Sequence, residues 1–336
     1  MKEFIRARAP LRIGMAGGGT DVEPYASDRG GCVFNTTIDK YAYCTVVPNG
    51  SDRLSIVSLD YGTFETQLDG GPLKYDGNMD LIKAVRNHFK ITKGFDVFIH
   101  SDAPPGSGLG GSSTVIVAIL GAVTEWLNIR LNDHELAELA FKLERQELGL
   151  KGGKQDQYAA VFGGFNLMEF GKQGVRVNKV RLKDDTISEL QYCSLLCYTG
   201  RSRDSANIID AQMSRYSKGS NTDALDASKR LAVESRNALM RGNVRKFGEI
   251  LNEAWVQKKK FTSDVTNSVL DKCYKAAMDN GAVGGKVSGA GGGGFMYFVC
   301  EYDKKHIVAK ELKRMGATIT DFMFERSGVQ MWRHKE

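Results

Sequence analysis

The sequence predicts an α+β protein large enough for two domains, and three observations carry that prediction. The chain has 336 residues, 42% hydrophobic and 26% charged, an ordinary globular composition at a length that two cores serve better than one. Alternating apolar and polar residues mark strands through position 67, whereas the stretch from about 203 to 281 reads almost wholly as helices. The two element types do not alternate regularly, which argues against a doubly wound parallel sheet.

Strands are expected at 3–16, 31–35, 40–48 and 53–67, followed by a helix near 79–90. FDVFIHSD, residues 95–102, alternates as a half-buried strand does and leads into the loop PPGSGLGGSST, residues 104–114. Helices follow at about 113–127 and 133–148. A short helix then starts near Asp156 and ends at Gly163-Gly164, where a strand resumes. Three or four helices occupy 203–281, and a strand, a second glycine-rich loop, another strand, a helix and two strands close the chain. Residues 217–228, SKGSNTDALDAS, form the least cohesive stretch and read as a mobile loop between helices.

Composition removes several functional classes. No stretch has the apolar length of a membrane span, and MKEFIRARAP runs into a strand pattern without a signal-peptide core, so a cytoplasmic location is expected. The six cysteines (Cys32, Cys44, Cys193, Cys197, Cys273 and Cys300) are scattered through apolar segments, which fits reduced, buried thiols better than ligands or disulfides. The net charge of +6 is dispersed apart from VQKKKF at 256–261, a run that reads as a solvated helix face. Anionic small molecules account for so mild a positive balance without nucleic acid or membrane as partner.

The loop at 104–114 carries the first chemical signal. Glycines at 106, 108, 110 and 111 let the backbone approach a ligand closely, and the loop feeds a helix N-terminus, where free N–H groups and the dipole favour phosphate. Ser112, Ser113 and Thr114 suit either helix capping or metal ligation. Gly106-x-Gly108-x-x-Gly111 matches a dinucleotide fingerprint in letters only, since Glu125 lies inside the helix instead of closing a following strand. Neither Gly153-Lys154 nor Gly285-Lys286 is followed by Ser or Thr, so there is no Walker A loop. The second loop, within GGKVSGAGGGGFMYFVC at 284–300, fits a tight β-turn with bulges or a ligand loop; paired with the first, it suits the partner substrate. Near the N-terminus, APLRIGMAGGGTDVEPY places Arg12 on a strand and Gly18, Gly19, Thr20 and Asp21 in a sharp turn. Asp21 fits two roles there, a turn cap or a carboxylate that orients a sugar hydroxyl.

The order of these three elements resembles the three signatures of the GHMP small-molecule kinases, and the resemblance covers essentially the whole chain. It implies a two-domain α+β fold, a ribosomal S5-like N-terminal half (1–170) and a ferredoxin-like C-terminal half (171–336), with ATP and substrate meeting between them. Carried over residue by residue, it implies that Pro105, Gly106, Ser107, Gly108, Leu109, Gly110, Gly111, Ser112 and Ser113 wrap the ATP phosphates. It makes Ser112 and Glu144 ligands of Mg²⁺, Asp156 the catalytic carboxylate and Arg12 its basic partner. An N-cap role for Asp156 is the competing reading, and Glu147 lies one turn from Glu144 on nearly the same helix face. Gly18-Gly19 stand where galactokinases have Glu-His, which points away from plain galactose. RIGMAGGGTD and KGGKQDQYAAVFGGFN look most like the members that phosphorylate the anomeric hydroxyl of D-glycero-D-manno-heptose 7-phosphate. The resemblance thus implies a sugar phosphate substrate, lined by Gly18, Gly19, Thr20, Asp21, Gly289, Ala290 and Gly291, with Lys151, Lys154, Arg201 and Arg203 as candidates for its phosphate. A fucose- or galactose-like sugar-1-kinase and a catalytically silent sugar sensor are the alternatives. Oligomeric state is not readable from the sequence.

Overall fold

A computed structural model describes residues 2–200 and 205–336. The first half of the chain runs β1 (Glu3–Ala16), α1 (Tyr25–Arg29), β2 (Gly31–Pro48), β3 (Arg53–Ser58), β4 (Gly62–Gln67), α2 (Asp80–His88), β5 (Phe95–Ser101), α3 (Gly111–Leu127), α4 (Asp133–Phe141), the π-helical turn Lys142–Glu147, α5 (Gln155–Phe162), β6 (Phe165–Gly171) and β7 (Gly174–Lys179). The second half runs α6 (Asp184–Cys193), β8 (Ser194–Tyr198), α7 (Ser205–Ser217), α8 (Thr222–Met240), α9 (Val244–Lys258), α10 (Ser268–Asp279), β9 (Ala282–Val287), β10 (Phe295–Cys300), α11 (Lys305–Arg314), β11 (Thr318–Thr320), β12 (Phe324–Glu325) and β13 (Gln330–Lys335).

Two sheets organise these elements. The larger has the order β13-β1-β2-β5-β3-β4, with β6 and β12 paired to β2 and β7 paired to β6. The smaller is antiparallel, in the order β11-β8-β10-β9. The two strands expected at 31–35 and 40–48 are one strand, because the intervening polar residues Asn35, Thr36 and Thr37 are buried and paired on both sides, to β1 and to β6 or β12. The single strand expected at 53–67 is instead the hairpin β3–β4, turning at Leu59, Asp60 and Tyr61. Beyond position 170, β7 stays in the first sheet, and β12 and β13 return to it from the end of the chain.

Three apolar clusters bind the layers. One lies beneath the large sheet, where α3 is buried continuously from Ile116 to Thr124 against β1, β2 and β5. Another underlies the small sheet and includes Trp255, Phe261, Met296 and Phe298. The third joins them, packing Leu11, Ile13, Met15 and Phe34 of the large sheet against Leu231, Leu239, Phe247 and Tyr297. That continuity holds the two halves together with an apolar core. The segment expected to be a mobile loop at 217–228 is mostly the first two turns of α8, starting at Thr222. Asn221 anchors its start by donating from Nδ2 to the carbonyls of Gln212 (2.9 Å) and Phe261 (3.1 Å), and Ala224, Leu225 and Ser228 are buried at helical spacing.

Candidate active site

The phosphate-loop candidate connects β5 to α3, and its glycines are required by geometry. Gly106, Gly108 and Gly110 have φ of +71°, +86° and +80°, values that side chains rarely adopt. A Cβ on Gly108 would lie 2.6 Å from the Ser288 carbonyl oxygen, and one on Gly289 would lie 2.7 Å from Gly108 Cα. The two glycine-rich loops therefore abut backbone to backbone. Phe295 N–H donates to Ser107 O (2.9 Å) and Arg12 N–H to Leu109 O (3.1 Å), so a strand from each sheet pins the loop.

Gly110 occupies the N-cap of α3 in the left-handed region, and no side chain caps the helix. Its first turn faces a cavity lined by Gly106, Ser107, Gly108, Gly110, Ser112 and Ser113. The serine hydroxyls are turned to Glu144: Ser112 Oγ donates to Oε1 (2.8 Å) and Ser113 Oγ to Oε2 (2.7 Å), while Gln157 Nε2 donates to Oε2 (2.6 Å). Glu144 is 0% exposed, with Arg145 Nη2 3.5 Å from its Oε1. Glu147 accepts from Tyr75 Oη at the surface, so the two glutamates, ambiguous by helix spacing, face different ways. The π-helical turn that contains both changes the angular spacing on which the sequence argument relied.

Arg12 and Asp156 form the centre of the cavity. Arg12 is 3% exposed and donates from Nε and Nη2 to the two carboxylate oxygens of Asp156 at 2.7 and 2.9 Å, a bidentate pair. Its Nη1 donates to Gly108 O (2.6 Å) and Ser288 Oγ (3.3 Å), touching both glycine loops. The N-cap of α5 is Lys154, whose side chain caps nothing, and Asp156 stands in the first turn with its carboxylate on Arg12. Capping therefore does not account for Asp156. The capping contact comes from across the chain, since Asp21 Oδ2 accepts from Gln155 N–H (3.2 Å) and its Oδ1 from Gly19 N–H (3.0 Å). Burial, reinforced by the charge of Asp156, raises the Asp21 carboxyl above the ordinary carboxylate range despite these backbone donors.

Gly18, Gly19, Asp21, Lys151, Gly289 and Ala290 line the same cavity, joined by Val22, Gln155, Ile209 and Gln212, which sequence reasoning had not singled out. Thr20 is fully buried, donating to Gly17 O (2.8 Å) and accepting from Cys32 N–H (3.0 Å), which holds the turn. Gly291 packs on Val265, where a Cβ would lie 2.6 Å from its carbonyl oxygen, and is not part of the lining. Lys154 is also outside it, its ammonium 4.7 Å from the centre of the Phe141 ring. Arg201 and Arg203 lie outside the described residues.

One residue corrects the sequence reading outright. Lys258, in the basic run read as a solvated helix face, is 6% exposed, lines the cavity and donates to the Gly289 carbonyl. Its neighbours Lys259 and Lys260 are the solvated ones. Burial, with Arg12 adding to it, brings the Lys258 ammonium down to about 8, against the opposing pull of Asp21 and Asp156.

The model of the GHMP kinases N terminal domain matches residues 79–164 and that of the GHMP kinases C terminal matches 235–318. A D-glycero-alpha-D-manno-heptose 7-phosphate kinase of Campylobacter jejuni is 39% identical over 98% of this chain and 99% of its own length. The chain belongs to the GHMP kinases. A crystal structure of a D-glycero-D-manno-heptose 1-phosphate kinase from Bacteroides thetaiotaomicron superposes with a TM-score of 0.84 at 37% identity, covering 99% of this chain and 100% of that one. Lactococcus lactis galactokinase, complexed with galactose, shares the fold at 21% identity and a TM-score of 0.77, covering 97% and 95% of the two chains.

As a GHMP kinase, the protein is a phosphotransferase with the two-domain α+β fold that its three signatures predicted. A second, mostly apolar cavity adjoins the first at Gly111 and Ser112. Its walls include Tyr61, Met79, Leu81, Ile99, Pro105 and Val115, so Pro105 faces this cavity and not the polar one. Leu109 is 1% exposed and serves the core, with its carbonyl turned to Arg12. All six cysteines are buried and free, and among the described residues no helix is long and apolar enough to cross a membrane.

Proposed function

We propose that the protein transfers the γ-phosphoryl group of ATP to the anomeric hydroxyl of D-glycero-D-manno-heptose 7-phosphate, giving the 1,7-bisphosphate and ADP. The observation that carries the reading is the buried Arg12–Asp156 pair at the contact of the two glycine loops, beside the uncapped start of α3. The loop amides and helix start suit the phosphates, and the adjoining apolar cavity suits the adenosine. The sugar lies against Gly18, Gly19, Asp21 and Gln155, with its C1 hydroxyl on Asp156. As the new P–O bond forms and the bond to the ADP oxygen breaks, the hydroxyl proton passes to the Asp156 carboxylate. An anomeric hydroxyl is more acidic than an ordinary alcohol, so a carboxylate suffices as its acceptor.

The residues present fit a Mg²⁺ ion. Ser112 and Glu144 supply a hydroxyl and a buried carboxylate at the foot of α3, the hard oxygen donors that Mg²⁺ takes alongside nucleotide phosphates. Among the described residues, no group of three or more His, Cys, Asp or Glu could hold a metal alone. A bound Mg²⁺ would neutralise phosphate charge.

The heptose assignment is supported by the 39% identity to the Campylobacter jejuni kinase. The two heptose-phosphate kinases are named for different phosphate positions, and only the 7-phosphate leaves C1 free for transfer. The deciding experiment measures ATP consumption with heptose 7-phosphate, heptose 1-phosphate, free heptose, fucose and galactose, and locates the new phosphate by NMR. Turnover of the 7-phosphate to a 1,7-bisphosphate is expected. Faster turnover of a free hexose would replace this reading with a general sugar-1-kinase, a reading that Lys154 favours by pointing away from the cavity.

A further inference from the structure

Arg12 has little left to offer a substrate. A guanidinium has five N–H donors, and four of Arg12's are committed to the two oxygens of Asp156, Gly108 O and Ser288 Oγ. Releasing them would free both glycine loops and the carboxylate together. Lys258 is placed differently: it reaches the same cavity from the last turn of α9, and among the described residues only one of its three donors is committed, to the carbonyl of Gly289. The groups facing it are Arg12 from β1, Asp21 from the turn after β1, Asp156 from α5 and Lys286 from β9. Lys286 is itself spent on the Gly14 carbonyl at 2.6 Å.

We propose that Lys258 is the cation that meets the phosphoryl group in transit, and that Arg12 is a positioning residue that stays on Asp156 throughout. This rests on the kinase reading above. The two remaining ammonium N–H groups, on a side chain that lines the cavity shared by the phosphate loop and Asp156, neutralise charge on the transferring oxygens while Gly289 keeps the side chain in place. Burial, with the nearby charge of Arg12, makes Lys258 sensitive to pH. With the free amine near 8, the ammonium prevails below that value and is lost above it, and an arriving polyanion draws it back. Nucleotide binding above pH 8 therefore takes up a proton at this residue.

The test compares unaltered enzyme, Lys258→Met and Lys258→Arg across pH 6.5–9.5, using whichever sugar acceptor the unaltered enzyme turns over; the titration window brackets the lowered amine. For the unaltered enzyme, kcat/KM for ATP should fall above pH 8. Lys258→Met should lose about 10²-fold or more in kcat with its melting temperature retained. Lys258→Arg, charged over the whole range, should recover part of that activity and lose the alkaline fall. ATP binding measured calorimetrically in two buffers of different ionisation enthalpy should show proton uptake in the unaltered enzyme and none in Lys258→Arg. The proposal is overturned by a folded Lys258→Met with kcat within about threefold of the unaltered enzyme, by an alkaline fall that persists in Lys258→Arg, or by unchanged proton uptake. Failure of the substrate reading shows separately, as absent turnover of heptose 7-phosphate by the unaltered enzyme, and the calorimetric arm needs no acceptor.

Discussion

Replacing Asp156 by Asn separates the chemistry of the carboxylate from its structural work. Asn keeps the size and one acceptor oxygen, yet its amide group faces one of the two guanidinium nitrogens that the carboxylate bound at 2.7 and 2.9 Å. Arg12, 3% exposed, is left with its charge unpaired and with Gly108 O, Ser288 Oγ and the one remaining side-chain oxygen as partners. Breaking a buried pair in this way costs about 3 kcal/mol. Asp156 is 18% exposed, so water recovers part of the loss and about 2 kcal/mol remains, a fall of roughly 3 °C in melting temperature for a chain of this length. The catalytic loss is larger: without a proton acceptor kcat should fall by about 10²-fold or more. ATP affinity should change by less than about threefold, since the nucleotide is held by loop amides and not by this carboxylate. Coupled ATPase kinetics, nucleotide titration and a melting curve measure the three quantities. A loss of ATP affinity matching the loss of kcat would refute the assignment and make Asp156 a support of the phosphate loop.

Other expectations follow from the same geometry. EDTA should abolish turnover and excess Mg²⁺ restore it, while Glu144→Gln should raise the Mg²⁺ requirement by about tenfold or more, read from activity against metal concentration. Gly108→Ala forces a Cβ to 2.6 Å from Ser288 O at φ +86°, and should lower stability by about 2 kcal/mol in denaturant titration and weaken ATP binding. Gly111→Ser meets nothing within 4 Å, so its melting temperature should stay level or rise. Lys151→Ala should shrink the preference for heptose 7-phosphate over free heptose by about tenfold or more, whereas Lys154→Ala, whose ammonium lies over Phe141, should leave that ratio intact.

The parts of the site that the sequence disclosed are those whose residue types are dictated by local backbone. Glycines at 106, 108 and 110 are visible because side chains rarely adopt their positive φ, at 108 also because a Cβ would meet the neighbouring loop, and the helix after them is visible from its apolar length. Pairings across the fold were harder. That Arg12 binds Asp156, 144 residues on, came from resemblance and not from any local pattern. The walls of the apolar cavity come from β3, the following turn, α2, β5 and α3, with no segment carrying a signature of its own. Lys258 was hidden by its neighbours, although a signal existed: Phe247, Leu251, Ala254 and Trp255 form the buried stripe of α9, and 258 continues it at helical spacing. A lysine on an apolar stripe is a better clue than a lysine in a basic run. The composition of 217–228 misled for a related reason, since its small polar residues suit the first turns of a helix as well as a loop.

β13 also bears on how the molecule is made. β1, the strand that carries Arg12, lies between β2 and β13, with Glu3 opposite Lys335 and Arg8 opposite Gln330. During synthesis, then, β1 emerges long before β13 and waits for all the elements between them before one of its edges is paired. Until β13 arrives, that edge offers unpaired backbone groups to any passing strand. Arg6 and Arg8, charges on this open edge, discourage such pairing. The phosphate loop and its helix can fold well before that moment, but the strand holding Arg12 is closed on both sides only when β13 has left the ribosome.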